Sequence, residues 1–373
     1  MLSKQFIQTG QISAQLQNRD FDTLFLTLSR LSLGDKSSQD DTNINETGME
    51  TIKPPQPDEN VIFRNSSYFE NNTSQTSLPR PAVIRDHATF LSSNLQANTE
   101  GITHVPIRSQ RLLVKYGTKV SIAEATCLVR LRHLLGTRVP LPEVFGWCRD
   151  GNETFIYMEL PDGMNLSEAW AFLTDGQKMD ISNQIRDMVA AWRDLEQDDA
   201  QDMGRGWVGN PSHGPLQDAI FTELPCQAGG PFPTVADFHA WFISTAMQAS
   251  APRQGRSTVA FPFNFQPNPL LHDNIPVSFT HGSLHPGNII ISTGTTNPRV
   301  VAVLDWSQAG WYPGYWEVCK ARKAVRLNGS ALLRGWESAH LPWILNLGRG
   351  GMQDEEGTYH CWDFLVELLG RAN

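Results

Sequence analysis

A polar loop set between short apolar runs, residues 279–317, most restricts the folds open to this chain. The stretch reads FTHGSLHPGNIIIS, then a turn, then VVAVLDWSQAGWYPGYWE. A β-rich run ends at Thr280, the loop His281-Gly282-Ser283-Leu284-His285-Pro286-Gly287-Asn288 follows, and residues 289–291 begin a second strand. Residues 293–298 are rich in Gly, Thr, Asn and Pro, which predicts a hairpin connection to a returning strand over 300–304. Asn288 and Asp305 then stand at the mouths of two neighbouring strands. A carboxylate beside so apolar a strand is costly to bury unless a cation or hydrogen-bond donors satisfy it. Two oxygen ligands placed this way suit Mg²⁺ carried on a nucleoside triphosphate.

This arrangement resembles the catalytic and metal-binding loops of the aminoglycoside phosphotransferase family, which has a protein-kinase-like fold. It is most similar to the fungal branch, whose members share an HG-x-LH-x-x-N loop and a DW-x-x-x-GWYP-x-YWE segment. The resemblance runs from about residue 100 to the C-terminus and implies an α+β, bilobal fold. Residues 81–162 would form a small β-rich nucleotide-binding lobe. Residues 163–373 would form a larger, mainly helical lobe with the catalytic loop, the metal loop and the acceptor site. Residues 1–80 are left as an N-terminal extension. The implied cofactors are ATP and Mg²⁺, and the implied partner is a small-molecule acceptor.

The family's loop pattern is His-x-Asp-x-x-x-x-Asn. His281 and Asn288 match it, but Ser283 stands where the catalytic Asp belongs. That Asp orients the acceptor hydroxyl and takes its proton, which a serine hydroxyl cannot do near neutral pH. A general base contributes about 10²- to 10⁴-fold in rate. Phosphoryl transfer has a loose transition state, so positioning and metal supply much of the remainder. The expectation is a phosphotransferase impaired or silenced at Ser283. Two alternatives stay open: a nucleotide-binding pseudokinase, and a kinase-fold protein turned to non-phosphoryl chemistry in secondary metabolism. Retention of Lys115, Asn288 and Asp305 favours phosphate and metal binding over the last.

Other expectations follow in chain order. Residues 103–116 read as strand, and Lys115 at its end matches the lysine that the family pairs with the α- and β-phosphates. A helix begins at Ser121, where Ser-x-x-Glu forms a capping box, so Glu124 either caps its own helix or, as the resemblance implies, pairs with Lys115. Ile122, Ala125, Leu128, Val129 and Leu135 give that helix a buried stripe. Strands over 143–148 and 154–159 join through a hairpin turn at 149–152. The resemblance places adenine against Met158 and the backbone of Glu159 and Leu160. Asn165 caps a short helix, and further helices are expected over 177–195, 235–248, 317–328 and 355–369. Asp237 and Glu223 are either surface acids or contacts to a cationic acceptor. The run at 21–33 is helix-like, whereas residues 35–77 read as a linker or poorly ordered loop.

Global features narrow the class. The chain has 373 residues, 40% of them hydrophobic, enough for a substantial core. A net charge of −9 argues against nucleic acid, whose binding is dominated by clustered Lys and Arg. The five cysteines are dispersed without C-x-x-C spacing, the pattern of reduced thiols, and no apolar run suggests a leader or a membrane span. An intracellular, cytoplasmic protein is expected. His281 and His285 lie four apart, but Gly282, Pro286 and Gly287 preclude the helix a zinc pair would need. The expected role of His281 is to brace the loop.

Overall fold

Period-two alternation in the first half and longer amphipathic repeats in the second divide the chain by secondary structure. The computed structural model describes residues 60–92, 101–197, 204–222, 229–249, 271–327, 335–346 and 355–370. The run at 21–33 and Glu223 lie outside them. Two compact units emerge, Met1–Ile122 with Val144–Leu160, and Ala123–Glu143 with Pro161–Asn373.

In the first unit, β1 (Val61–Ile62), helices α1 (Ser67–Asn71) and α2 (Pro81–Ser92), β2 (Thr103–Ile107), β3 (Leu112–Gly117), and then β4 (Val144–Asp150) and β5 (Glu153–Glu159), follow in order. The strands make one antiparallel sheet in the order β1-β4-β5-β3-β2. The expected single strand over 103–116 is instead a hairpin. A 3₁₀ turn at Arg108–Gln110, with Arg111 left-handed (φ 50°), reverses the chain and pairs His104 with Lys115. The β4–β5 hairpin forms at the expected place, with Gly151 taking a positive φ of 64°.

The expectation of a linker through residue 77 fails for its last part. Residues 60–77 carry Val61, Phe63, Tyr68 and Phe69, and these aromatic and aliphatic groups outweigh the polar composition around them. Tyr68 is 1% exposed, donates its hydroxyl to Gln110 Oε1 at 2.9 Å, and packs on Phe69 and Phe145. Strand β1 docks at Gly146, where a Cβ would lie 2.3 Å from the Val61 carbonyl oxygen, so only glycine admits it. Arg85 of α2 ties the helix to the sheet through Asp150 and Glu153.

The second unit begins with α3 (Ile122–Leu135), which belongs to it from Ala123 on. Its buried face is Ala125, Leu128, Leu131 and Leu135 together with Ile122; Val129 is only half-buried, and Leu131 takes the place expected for it. Next come β6 (Met164–Asn165), α4 (Leu166–Ala169), α5 (Asp175–Arg193), α6 (Ala219–Thr222) and α7 (Val235–Ala249). Asn165 caps α4 by accepting from Ser167 N at 2.9 Å. Helix α5 starts earlier than expected because Thr174 and Gln177 form a reciprocal capping box, and it buries Ile181, Ile185, Met188, Val189 and Trp192.

The chain then enters β7 (Val277–Thr280), β8 (Ile289–Ile291), β9 (Val300–Val303) and β10 (Gly310–Pro313), followed by helices α8 (Trp316–Leu327), α9 (Leu341–Ile344) and α10 (Glu355–Gly370). Strands β8 and β9 pair antiparallel, Ile289 against Val303, as the sequence predicts. Strand β10 was not foreseen, because GWYP reads as a breaker. It pairs antiparallel with β7, Gly310 opposite Thr280. Phe221, Phe238, Phe242, Trp316 and Trp362 fill the core between α7, α8 and α10.

Tyr68→Ala deletes a buried ring and its bond to Gln110, and is expected to destabilise the first unit by about 3–5 kcal/mol in chemical denaturation. An unchanged midpoint would show that residues 60–77 are not part of its core.

Candidate catalytic and metal-binding loops

The loop leaving β7 cannot be regular, since Gly282 is left-handed (φ 77°) and Pro286 interrupts the donor pattern. Its shape is fixed by side chains that bond their own backbone. His281 is fully buried. Its Nε2–H donates to Leu304 O at 3.0 Å, while its Nδ1 accepts from Ser283 N at 3.0 Å, so one tautomer is selected. His285 Nδ1 likewise accepts from Gly287 N at 3.0 Å. Both rings therefore brace the backbone. A 3₁₀ turn, Pro286–Asn288, completes the loop, and the Leu304 N–H donates to Asn288 O at 2.8 Å, tying it to the end of β9.

Asp305 follows with φ 60°, a left-handed conformation that Asp tolerates better than most residues. Trp306 is buried behind it, donates to Val303 O at 3.0 Å, and stacks edgewise on His281. Asp305 is only half-buried, and its carboxylate accepts from Ser307 Oγ at 2.8 Å and from Ser283 Oγ at 3.3 Å. Asn288 Nδ2 donates to Ser283 O at 2.8 Å and to Ser283 Oγ at 3.0 Å. The Ser283 hydroxyl thus bridges the two expected metal ligands, accepting from one and donating to the other. With Nδ2 turned into the loop, Oδ1 is the Asn288 atom suited to a cation.

The loop hangs from α8. Glu317, 1% exposed, accepts from His281 N at 2.6 Å and from Gly282 N at 3.1 Å. Burial pushes its carboxyl up, and the two amide bonds oppose that. Sequence reasoning gave Glu317 no role. The available signal was an acid inside the otherwise apolar run Tyr315-Trp316-Glu317-Val318-Cys319. Ser307, the second partner of Asp305, carried no such signal.

His281, Ser283, Asn288 and Asp305 are therefore brought together within the second unit. Among the described residues, no group of three or more His, Cys, Asp or Glu could hold a metal by itself. A pair of hard oxygen donors fits Mg²⁺ that completes its shell with phosphate oxygens and water.

The expected nucleotide residues lie mainly in the first unit. Lys115 sits in an interior strand between His104 and Ile156 and is 3% exposed, which rules out a solvated edge position. Met158 is buried in β5. Glu159 forms an ion pair with Arg111 at 3.5 Å, and Leu160 N donates to Arg111 O at 2.8 Å, so that amide is engaged within the unit. Glu124 is buried on α3 in the second unit. Asp237 closes a cap with Thr234 Oγ1 at 2.7 Å at the start of α7.

The first unit thus carries one antiparallel sheet, and the second is mainly helical around the short strands that bear this loop pair. Residues 110–342, more than half of the chain, match the model of the phosphotransferase enzyme family (APH), and the chain belongs to that family. Comparison with curated proteins gives no match. Among solved structures, aminoglycoside phosphotransferase APH(3'')-Id from Streptomyces rimosus is 16% identical, with 74% of this chain and 96% of that one covered and a TM-score of 0.42. An aminoglycoside-3'-phosphotransferase of type VIII is 14% identical, with 77% and 98% covered and a TM-score of 0.41. A thermostable mutant of APH(4)-Ia, in ternary complex with AMP-PNP and hygromycin B, is 13% identical, with 76% and 96% covered and a TM-score of 0.37. No helix among the described residues is long and apolar enough to cross a membrane.

Two outcomes test this scaffold. Burial pulls the His281 pKa down to about 4 from its ordinary 6.5. The folded state thus binds the neutral ring, and its contribution is complete above pH 6.5. Stability should fall by about 3 kcal/mol as pH drops from 6.5 toward 4, then level for this group. Buried His239 and half-buried His285 act in the same direction. Urea titrations across that window, with the slope reduced in His281→Asn, check it. Separately, Glu317→Ala strands two amides and is expected to cost about 2–6 kcal/mol in the same assay.

Proposed function

We infer that this chain is an ATP- and Mg²⁺-dependent phosphotransferase acting on a small-molecule acceptor, with its transfer step weakened because Ser283 occupies the position of the base. The observation that carries this is the Asn288–Ser283–Asp305 bridge: two oxygen ligands held together on a loop fixed by buried His281 and Glu317. When bound, Mg²⁺ would offset charge on the phosphates, with Asn288 and Asp305 as its protein ligands. Lys115 would hold the α- and β-phosphates. Lys115 is buried in β3 of the first unit and Glu124 is buried on α3 of the second. Met158 and the backbone at Glu159 and Leu160 would border adenine, with the Leu160 N–H already committed to Arg111. Free Cys127, Cys319 and Cys361, all buried, support a reducing, cytoplasmic setting.

Ser283 also motivates a second reading. Its hydroxyl donates to Asp305, so it orients and does not deprotonate. A protein that binds nucleotide without transferring it, a pseudokinase, would show the same loop.

Calorimetry separates these from a repurposed pocket. ATP is expected to bind only weakly without Mg²⁺ and to tighten with it, and Asp305→Ala should abolish the metal-dependent part. Absence of any heat at millimolar ATP would remove the nucleotide reading. Ser283→Asp should raise phosphoryl transfer, or ATPase leakage when no acceptor is known, by about 10²- to 10⁴-fold, roughly 3–5 kcal/mol of barrier. Binding without transfer in either form would favour the pseudokinase. Equal, substantial transfer in both would show that position 283 does not carry the base.

A further inference from the structure

We propose that Lys320, acting through Gln308, is a positioning residue for the metal-bearing turn, and that buried Asp218 fixes Lys320 in that role. The proposal rests on reading Asn288 and Asp305 as the metal pair and adds the device that holds Asp305 in register.

Asp218 is 0% exposed, a cost that only full satisfaction of its carboxylate offsets. Lys320 Nζ donates to its Oδ1 at 2.7 Å and Ile220 N donates to the same oxygen at 3.0 Å. Trp316 Nε1 donates to Oδ2 at 2.8 Å. The Lys320 ammonium has a second acceptor, Gln308 Oε1, at 2.9 Å, and Gln308 Oε1 also accepts from Ala219 N at 3.0 Å. Gln308 thus lies under a clamp built from α8 on one side and the start of α6 on the other.

Gln308 is three residues beyond Asp305, in the turn closed by Ala309 N donating to Trp306 O at 3.1 Å. Its backbone seats the catalytic loop: a Cβ on Gly282 would lie 2.9 Å from the Gln308 carbonyl oxygen. Lys320 is one helical turn from Glu317 on α8, so both fall on one face. From that face, Glu317 holds the backbone at 281–282 and Lys320 holds the segment after Asp305. One helix turn therefore sets the spacing between the loop carrying Ser283 and Asn288 and the turn carrying Asp305. That spacing decides whether two oxygens can share one cation. Partners of this indirect kind are worth about 10- to 100-fold in metal affinity.

The test variant is Gln308→Leu, which cuts the bridge but leaves the buried Asp218–Lys320 pair intact. The paired change Lys320→Met with Asp218→Asn removes the ammonium without stranding a buried carboxylate. Gln308→Glu keeps both acceptor bonds and should behave as wild type. For the first two, the Mg²⁺ concentration half-saturating ATP binding should rise about 10-fold, while metal-free ATP affinity stays unchanged. Backbone amides of residues 305–310 should exchange with deuterium faster, with thermal midpoints close to wild type. Unaltered Mg²⁺ dependence and unaltered exchange in Gln308→Leu would overturn the proposal while leaving the nucleotide reading standing. A wild type without metal-dependent binding would overturn both.

Discussion

A buried carboxylate that accepts two consecutive backbone amides is the constraint on which the rest of this site depends. Glu317 holds the N–H groups of His281 and Gly282, at the point where β7 gives way to an irregular loop. Irregular backbone inside a protein must find partners for its polar groups. Here they come from one helix residue and two imidazole rings. The same helix carries Lys320 toward Asp218 and Gln308, so the two polar segments refer to a single rigid element. Strands β7 and β10 close the arrangement by pairing across the base of both segments.

Within that frame the chemistry is divided among few atoms. His281 and His285 each use Nδ1 to accept a backbone N–H, which assigns them to shape. Asn288 and Asp305 are the proposed metal ligands, and Ser283 links them through one hydroxyl. A carboxylate at 283 would place two like charges near one another unless metal lay between them. The serine removes that tension and, with it, the proton acceptor. On the reading proposed above, the loop would hold a metal-bound phosphate and would lack a group to activate a hydroxyl.

Much of this was legible in the sequence. The alternation of FTHGSLHPGNIIIS and VVAVLDW gave both strands, the hairpin between them, and the grouping of His281, Ser283, Asn288 and Asp305, because period-two patterning and turn residues are local signals. What escaped reading was non-local. Strand β10 contains Gly and Pro and exists only because β7 offers it a partner. Residues 60–77 look polar on average, yet Tyr68 finds Gln110 some forty positions away and is buried. Asp218 and Lys320 are 102 positions apart, and no spacing rule connects them. Asp305, singled out as the acid costly to bury, is half-exposed. Among the acids the fold does bury, Glu317 and Asp218 are each satisfied by donors that only the tertiary structure supplies.

The central claim is that Asn288 and Asp305 take up the metal of a nucleoside triphosphate. Replacing Mg²⁺ by paramagnetic Mn²⁺ and recording amide NMR spectra of the chain with ATP tests it most directly, without needing an acceptor. The account predicts that Mn²⁺ with ATP broadens the amide signals of Ser283, Asn288 and Asp305 first and most strongly, leaving α10 sharp. Broadening centred elsewhere, or none at these three residues when ATP is saturating, would contradict it.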